Sequence, residues 1–224
     1  GIGLTAVLVV AYVVWGGGKE IEELVQRVDT PEAAPEAVAN GPTEETDQFR
    51  ILVPVARPSN APAYVRLAEV LGTGRDGSPL IEVVTVTEIP EQTPHETMAE
   101  TAAEQVEEIE AALAEEDLSM EYTVEGRTCR DVAFAILQSA REDDADLSVM
   151  GYPEENEEIT TKVEYTAPCD VVFASGLTGD PIEQINIGAG GGPHHLAAAN
   201  LVRNMGEQGY SVNIISVDPA GEGT

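Results

Sequence analysis

Two joins between a strand and a helix hold the residue types that could bind a phosphorylated ligand. The first is the loop of residues 56–60, which follows the apolar segment 51–55. The second follows the strand-like segment 184–187 and contains Gly188, Gly190, Gly191 and Gly192. In open α/β sheets, ligands bind outside the carboxyl ends of the strands, and glycines let backbone amides approach a phosphate. Both joins are therefore candidate ligand sites.

The second join lacks further residues that known phosphate-binding motifs require. No Lys-Ser/Thr pair follows Gly192, so the segment is not a P-loop. Pro193 interrupts a dinucleotide fingerprint, and no acidic residue closes the next strand before Asp218. The alternative to a phosphate cradle is a tight turn from strand to helix. The adjacent His194 and His195 would point in different directions on a helix start, and no third ligand is close, so we predict no metal site.

Other reactive side chains form no catalytic set. Cys129 and Cys169 are the two cysteines, which is too few for a disulfide framework and fits a reducing compartment. Cys129 stands at a predicted helix start, where a thiolate would be favoured, and the alternative is a small buried apolar residue. His95 is isolated in an acidic loop. Because the sequence contains no recognisable triad, metalloprotease motif or carboxylate pair, we predict that the protein is not an enzyme.

The charge of the chain limits its partners. Its 224 residues include 41 acidic and 11 basic side chains, for a formal net charge of -30. Such a field repels nucleic acid and anionic lipid headgroups, so we expect no nucleic-acid partner. The acidic residues lie between apolar runs, and 42% of all residues are apolar, which indicates a folded chain. The composition is typical of a halophilic cytoplasm, where salt screens self-repulsion.

The amino-terminal segment predicts a membrane anchor. Residues 1–18 carry no charge, and as a helix they would rise about 27 Å, close to the thickness of a bilayer core. Tyr12 and Trp15 stand where interfacial aromatic residues belong, and Lys19 favours a cytoplasmic end. We therefore expect a transmembrane helix, and the alternatives are a signal peptide and a buried soluble helix. A juxtamembrane amphipathic helix over residues 19–28 and a flexible acidic linker over residues 29–48 would follow.

The remaining sequence alternates strands with helices. Residues 49–178 are predicted to form one domain, and residues 183–224 to start a second, truncated copy of it. The predicted strands are 49–55, 80–86, 119–124, 146–151 and 170–174, then 184–188 and 211–217; the predicted helices run from 59 or 60 to 72, over 97–116, from a cap at Thr128, over 160–167 and over 195–206. This order predicts an α/β fold with an open, mostly parallel five-stranded sheet and helices on both faces.

Four segments carry a resemblance to a known family. They are 51–55 (Ile-Leu-Val-Pro-Val), 130–136 with its Arg-Asp-Val-Ala start, 145–151 (Ala-Asp-Leu-Ser-Val-Met-Gly) and 167–172 (Ala-Pro-Cys-Asp-Val-Val). With the order of elements, these segments make residues 49–176, and the restart from residue 185, similar to the universal stress protein family. That resemblance implies a Rossmann-like domain in tandem.

The resemblance also indicates which ligand chemistry is kept. Nucleotide-binding members of the family place a Gly-two-any-Gly-nine-any-Gly-Ser/Thr stretch after the fourth strand, and here Gly151 alone matches. Glu154 replaces the second glycine, and Ala56 replaces the acidic residue that meets the adenosine. Val55, Met150 and Gly151 would remain as a remnant of the cofactor site. We therefore expect no cofactor in the first domain, and ATP or AMP only in a completed second domain.

The predicted assembly is similar to archaeal amino-acid permeases of the amino acid–polyamine–organocation superfamily, which carry paired stress-protein domains after their last span. This similarity implies a regulatory or assembly region on the cytoplasmic side of the cell membrane in a haloarchaeal transporter. Its partners would be its own membrane domain, reached through residues 1–18, and a further stress-protein domain, either in a homo-oligomer or within the chain. The alternative is a soluble or singly anchored nucleotide-binding stress protein.

Overall fold

The fold is known from a computed structural model that describes residues 6–11, 48–74, 79–90, 95–152, 157–177, 182–190 and 194–217. The described strands are β1 (Ala6–Ala11), β2 (Arg50–Val55), β3 (Leu80–Glu88), β4 (Glu121–Cys129), β5 (Leu147–Gly151), β6 (Asp170–Ser175), β7 (Gln184–Gly190) and β8 (Ser211–Val217). The described helices are α1 (Ala61–Gly72), α2 (His95–Ala114), α3 (Val132–Glu142), α4 (Glu157–Thr166) and α5 (His194–Glu207), and a 3-10 turn, Pro58–Asn60, precedes α1.

The described strands form one sheet in the order β4-β3-β2-β5-β6-β1-β7-β8. From β4 to β6 all neighbours are parallel, which confirms the five-stranded parallel sheet predicted from the sequence. Strand β1 runs antiparallel to β6 and parallel to β7, and β7 is parallel to β8. The β7-α5-β8 segment is thus a parallel βαβ unit, while its identity as a second copy of the domain stays a prediction.

Helices cover the two faces of the sheet and create two cores. Helices α1, α2 and α5 pack on one face, where the core includes Val53, Val65, Ile109 and Met205. Helices α3 and α4 pack on the other face, where the core includes Phe173. Alternate residues of each strand point to opposite faces, so continuous apolar strands such as β2 supply both cores.

The structure corrects the prediction for the amino-terminal segment. Ala6–Ala11 is a strand between β6 and β7, so the predicted transmembrane helix over residues 1–18 is wrong at these residues. In a continuous apolar run, the spacing of apolar residues does not distinguish a helix from a strand. The β-branched residues of this run, such as Val7, Val9 and Val10, favour a strand. Both edges of β1 are paired in the sheet, which satisfies its backbone polar groups.

Other parts of the amino-terminal prediction are not covered by the structure. The remainder of residues 1–18, the amphipathic helix over 19–28 and nearly all of the linker over 29–48 lie outside the described residues. Within the part of the chain that the structure describes, no helix is both long and apolar enough to cross a membrane.

The start of α3 also differs from the prediction. Thr128 was expected to cap this helix, but β4 continues through Thr128 to Cys129. Asp131 is the cap instead, because its side chain accepts a hydrogen bond of 2.9 Å from the backbone N–H of Phe134. The thiol of Cys129 donates to the carbonyl of Asp131, and burial raises the pKa of this cysteine, so a thiolate is not favoured there.

Candidate functional site

The strand order places a candidate site at the carboxyl ends of β2 and β5. Strand β2 is followed in the chain by α1 and β3, and β3 lies on one side of β2 in the sheet. Strand β5, which comes after β4 in the chain, lies on the other side of β2. Such a reversal of strand order opens a crevice between the two loops that leave the strands. The crevice lies beside Val55 and Gly151, which are the last residues of β2 and β5.

A tyrosine from α1 fills this crevice at Gly151. A Cβ atom added to Gly151 would lie 2.6 Å from Oη and 3.2 Å from Cζ of Tyr64. The Tyr64 side chain is packed against the core that α1 shares with β2 and β5. Burial also raises the pKa of the Tyr64 phenol, because a phenolate would be poorly solvated there. On the side to which a Cβ atom would project, Gly151 is therefore covered by the protein's own side chain.

The three residues expected to be a cofactor remnant do not converge on one ligand. Val55 is buried in the core beneath α1. Met150 is buried on the opposite face of the sheet, in the core that contains α3. Gly151 is half-buried and lies against Tyr64. The structure therefore brings Val55 and Gly151 to the same end of the sheet and assigns Met150 to packing.

The loop of the first join begins with two exposed residues. Ala56 and Arg57 are exposed between β2 and the 3-10 turn Pro58–Asn60. Helix α2 contacts this turn and so borders the same end of the sheet. Glu154, which stands at the expected position of a phosphate-facing glycine, lies outside the described residues.

The second join differs from the first in the space around its glycine. Gly188 lies in β7, and a Cβ atom added there would have no atom within 4 Å among the described residues other than its neighbours in the chain. Gly190 ends β7, and α5 begins at His194. Gly191 and Gly192 lie outside the described residues. Open space at Gly188 thus contrasts with the closed surface at Gly151.

No described cluster suggests metal chemistry at either join. Among the residues that the structure describes, no group of three His, Cys, Asp or Glu side chains is placed to hold a metal ion. The second cysteine, Cys169, is half-buried, and burial together with the neighbouring Asp170 raises its pKa to about 12, which keeps it a thiol.

The sequence contained signals for two residues that our sequence reasoning missed. Tyr64 occupies the apolar face of α1 with Ala61, Val65 and Ala68, and this spacing directs it toward the sheet. Glu82 is a carboxylate inside the apolar strand β3, and it is buried. A charged residue within a buried strand signals a partner, which the structure shows to be Arg50 at 2.8 Å.

Comparisons with known proteins give a structural likeness only. No protein-family model matches the chain, and no curated protein matches it. The universal stress protein from Archaeoglobus fulgidus in complex with dAMP is similar at 17% identity and a TM-score of 0.41, over 58% of this chain and 100% of that chain. A universal stress protein in complex with cAMP has 16% identity and a TM-score of 0.39, over 58% and 99% of the two chains.

A longer alignment is found with a universal stress protein from Archaeoglobus fulgidus DSM 4304. It covers 76% of this chain and 77% of that chain, at 13% identity and a TM-score of 0.40. The structural neighbours of the chain are thus universal stress protein domains.

Proposed function

We propose that the chain is a non-catalytic regulatory or assembly module of the universal stress protein type, in which the first join does not bind nucleotide. The observation that carries this proposal is the position of the Tyr64 hydroxyl over Gly151. An adenine or ribose ring needs open backbone surface at the carboxyl ends of the strands. Here a ligand would first have to displace a side chain that packs against the core.

The charge near the first join supports the same proposal. Glu154 stands in the sequence where the resembling family places a glycine, and Glu155, Glu157 and Glu158 follow it closely. Helix α4 begins with Glu157 and Glu158. Carboxylates at this position repel phosphate oxygens, and the repulsion grows as water is excluded. Steric closure and charge thus act in the same direction.

The test is calorimetric titration of the full chain in high salt with AMP, ATP, dAMP, cAMP and adenosine. We expect no binding at the first join. The variant Tyr64→Ala, which removes the ring over Gly151, should gain binding of uncharged adenosine, whereas Tyr64→Phe, which keeps the ring, should not. Micromolar nucleotide binding that survives Gly188→Val contradicts the proposal, because it leaves the first join as the site.

The open space at Gly188 favours a second candidate function, nucleotide binding at the second join. Backbone amides at the start of a helix attract phosphate, and three residues separate the end of β7 at Gly190 from the start of α5 at His194. A side chain added at Gly188 would have room and would occupy the ligand's space. This candidate predicts binding of ATP or AMP that Gly188→Val abolishes and Tyr64→Phe leaves unchanged.

Attachment to an amino-acid transporter in the cell membrane, with this region on the cytoplasmic side, is a further part of the proposal. It rests on the resemblance to permeases with stress-protein domains and on the acidic composition. The segment Ala6–Ala11 does not support it, because this segment is a strand of the sheet. Carbonate extraction of membranes from cells that express the full-length gene product tests it. Retention in the membrane pellet is expected, and quantitative release contradicts the attachment.

Pairing with another stress-protein domain is proposed on the same basis. In the structure, β6 is paired with β1, which in turn pairs with β7. This arrangement supports pairing within the chain over pairing of β6 with a second copy. Light scattering in high salt distinguishes the two, because pairing within the chain predicts a monomer.

A further inference from the structure

A partly buried ionic network extends from the amino-terminal parts of β2 and β3 to β4 and the end of α3. Its centre is Glu82 of β3, whose side chain is 10% exposed. Glu82 Oε1 accepts a hydrogen bond of 2.8 Å from Nη1 of Arg50 on β2. Glu82 Oε2 is buried and has no hydrogen-bond partner among the described residues. One oxygen of this carboxyl group is therefore satisfied, and the other is not.

The groups that face Glu82 come from three neighbouring elements. Strand β2 contributes Arg50, and strand β4 contributes Glu125, which raises the pKa of Glu82 by repulsion. The end of α3 contributes Asp143, which repels Glu82 more strongly than Glu125 does. The cation is thus outnumbered by the carboxylates that surround Glu82.

The rest of the network connects β4 and the α3–β5 turn to this centre. Arg127 of β4 donates from Nη1 to Glu142 at 2.6 Å and from Nη2 to Glu125 at 3.2 Å. The Asp146 side chain accepts from the backbone N–H of Arg50 at 2.9 Å. Four carboxyl groups (Glu82, Glu125, Glu142 and Asp143) therefore interact with two guanidinium groups (Arg50 and Arg127), and Asp146 fixes the turn to the backbone of β2.

The end of α3 is the weakest part of this network. Glu142 and Asp143 stand at the carboxyl end of the helix, where the helix dipole disfavours negative charge. Asp144 follows with a φ of 47°, in the left-handed region that non-glycine residues seldom adopt. The turn of residues 142–146 therefore combines unfavourable charge with an uncommon backbone conformation. It is joined to Glu82 through Arg50, whose backbone bonds Asp146 and whose guanidinium bonds Glu82.

We propose that Glu82 and the turn of residues 142–146 form a proton-sensitive latch, in which a neutral Glu82 holds the turn closed and an ionised Glu82 loosens it. When Glu82 is neutral, it carries no charge that a cation must balance, and it does not repel Asp143. An ionised Glu82 raises the excess of carboxylates over guanidinium groups from one to two, since three ionised carboxylates then become four. Opening of the turn relieves that excess by returning Asp143 and Glu82 to water.

The pH range of the latch follows from the environment of Glu82. Burial, with the repulsion from Asp143, raises the pKa of Glu82 to about 7, although Arg50 opposes the shift. In the open state the carboxyl group returns to its ordinary, lower pKa. The closed state therefore binds more protons between the two values, and closure weakens as the pH rises through 7. Opening of the turn should increase roughly tenfold between pH 6 and pH 8.

Amide hydrogen exchange of the full chain tests the latch at pH 6 and pH 8, after correction for the intrinsic pH dependence of exchange. Amides of residues 140–147 should lose protection at pH 8 in the wild type. Glu82→Gln, which stays neutral, should keep them protected at both pH values. Glu88→Gln is the matched control on the exposed end of β3 and should behave as the wild type does.

Three outcomes overturn the latch. They are equal protection at both pH values in the wild type, a pH dependence that persists in Glu82→Gln, and loss of the pH dependence in Glu88→Gln. Carboxyl-carbon NMR titration of Glu82 in the wild type provides an independent measurement if Glu82→Gln does not fold. A midpoint near 7 supports the latch, and a midpoint near the ordinary value for glutamate overturns it.

Discussion

The hydroxyl of Tyr64 lies 2.6 Å from the position that a Cβ atom would take at residue 151. Gly151 therefore has a packing role in this protein, because any other side chain would collide with the tyrosine. A glycine at this position also belongs to the nucleotide-binding pattern of the family that the sequence resembles. The same residue thus fits two explanations, and the position of Tyr64 favours packing.

The collision predicts that Gly151→Ala destabilises the fold. We expect a loss of about 1–2 kcal/mol in the free energy of unfolding, because the tyrosine ring must move within a packed core. Tyr64→Phe removes the oxygen, so the nearest remaining ring atom is Cζ at 3.2 Å from the new methyl group. Urea denaturation of the two single variants and the double variant measures the coupling. Strictly additive losses would show that the two residues do not collide.

A second prediction concerns the carboxylate of Glu69, which fixes the connection between α2 and β4. Its Oε1 atom accepts hydrogen bonds from the backbone N–H of Ser119 at 2.6 Å, from the backbone N–H of Met120 at 2.9 Å and from the Ser119 hydroxyl at 3.1 Å. Because charge-assisted bonds to backbone amides are strong, Glu69→Ala should cost about 1–3 kcal/mol.

The control for Glu69→Ala is Glu108→Ala, which removes an exposed carboxylate from α2. Chemical denaturation should leave the Glu108→Ala midpoint close to that of the wild type. Equal losses in the two variants would mean that net charge, and not the three hydrogen bonds, determines the effect.

The cap of α3 predicts a loss of stability in acid. Asp131 has its pKa lowered by a hydrogen bond from Lys162 and by the backbone N–H of Phe134. A lowered pKa in the folded state means that the ionised form contributes stability above the unfolded pKa. That contribution is lost as the pH falls through the folded value. Because Asp131 is half-exposed, we expect less than about 1 kcal/mol from the ion pair.

Two substitutions at Asp131 separate the cap from the ion pair. Asp131→Asn keeps an N-cap acceptor and loses the charge, whereas Asp131→Ala loses both and should cost about 1 kcal/mol. Thermal denaturation at neutral pH should therefore rank Asp131→Asn above Asp131→Ala in stability. Equal stability of the two variants would assign the whole effect to Lys162.

The sequence predicted well the elements that are apolar on both faces. Strands β2, β5 and β6 lie within one or two residues of their predicted bounds, because continuous apolar runs between turn residues are specific for buried strands. Strand β8 also matches its predicted bounds, although most of its described side chains are exposed. Strand β4 was predicted to end at Val124 but continues to Cys129. The last residues of β4 include the charged side chains of Glu125 and Arg127, which pair with each other. They interrupt the apolar pattern from which a strand is predicted.

The closed state of the first join could not be predicted from the sequence. The spacing in α1 directs Tyr64 toward the sheet, but whether it meets Gly151 depends on how α1 lies across β5. The pairing of β1 with β6 and β7 likewise joins residues that are more than a hundred positions apart. Local patterns predict which elements form, whereas such contacts depend on the packing of the whole sheet.

The last prediction concerns Met205, which joins the β7-α5-β8 unit to the core beneath α1. Met205 is fully buried, and its core contains Val65 of α1 and Ile185 of β7. Nε2 of Gln208 also donates to the carbonyl of Thr73 at 3.2 Å, just beyond α1. Met205→Ala should lower the stability by about 2–5 kcal/mol, and Met205→Leu, which conserves volume, by less than about 1.5 kcal/mol.

Methyl NMR signals of Val65 and Ile185, followed through urea denaturation, should disappear together in the wild type. In Met205→Ala they should disappear together at a lower urea concentration. If Met205→Ala removes the Ile185 signal early and leaves that of Val65 at its wild-type midpoint, the two parts unfold independently, and the shared core does not join them into one cooperative unit.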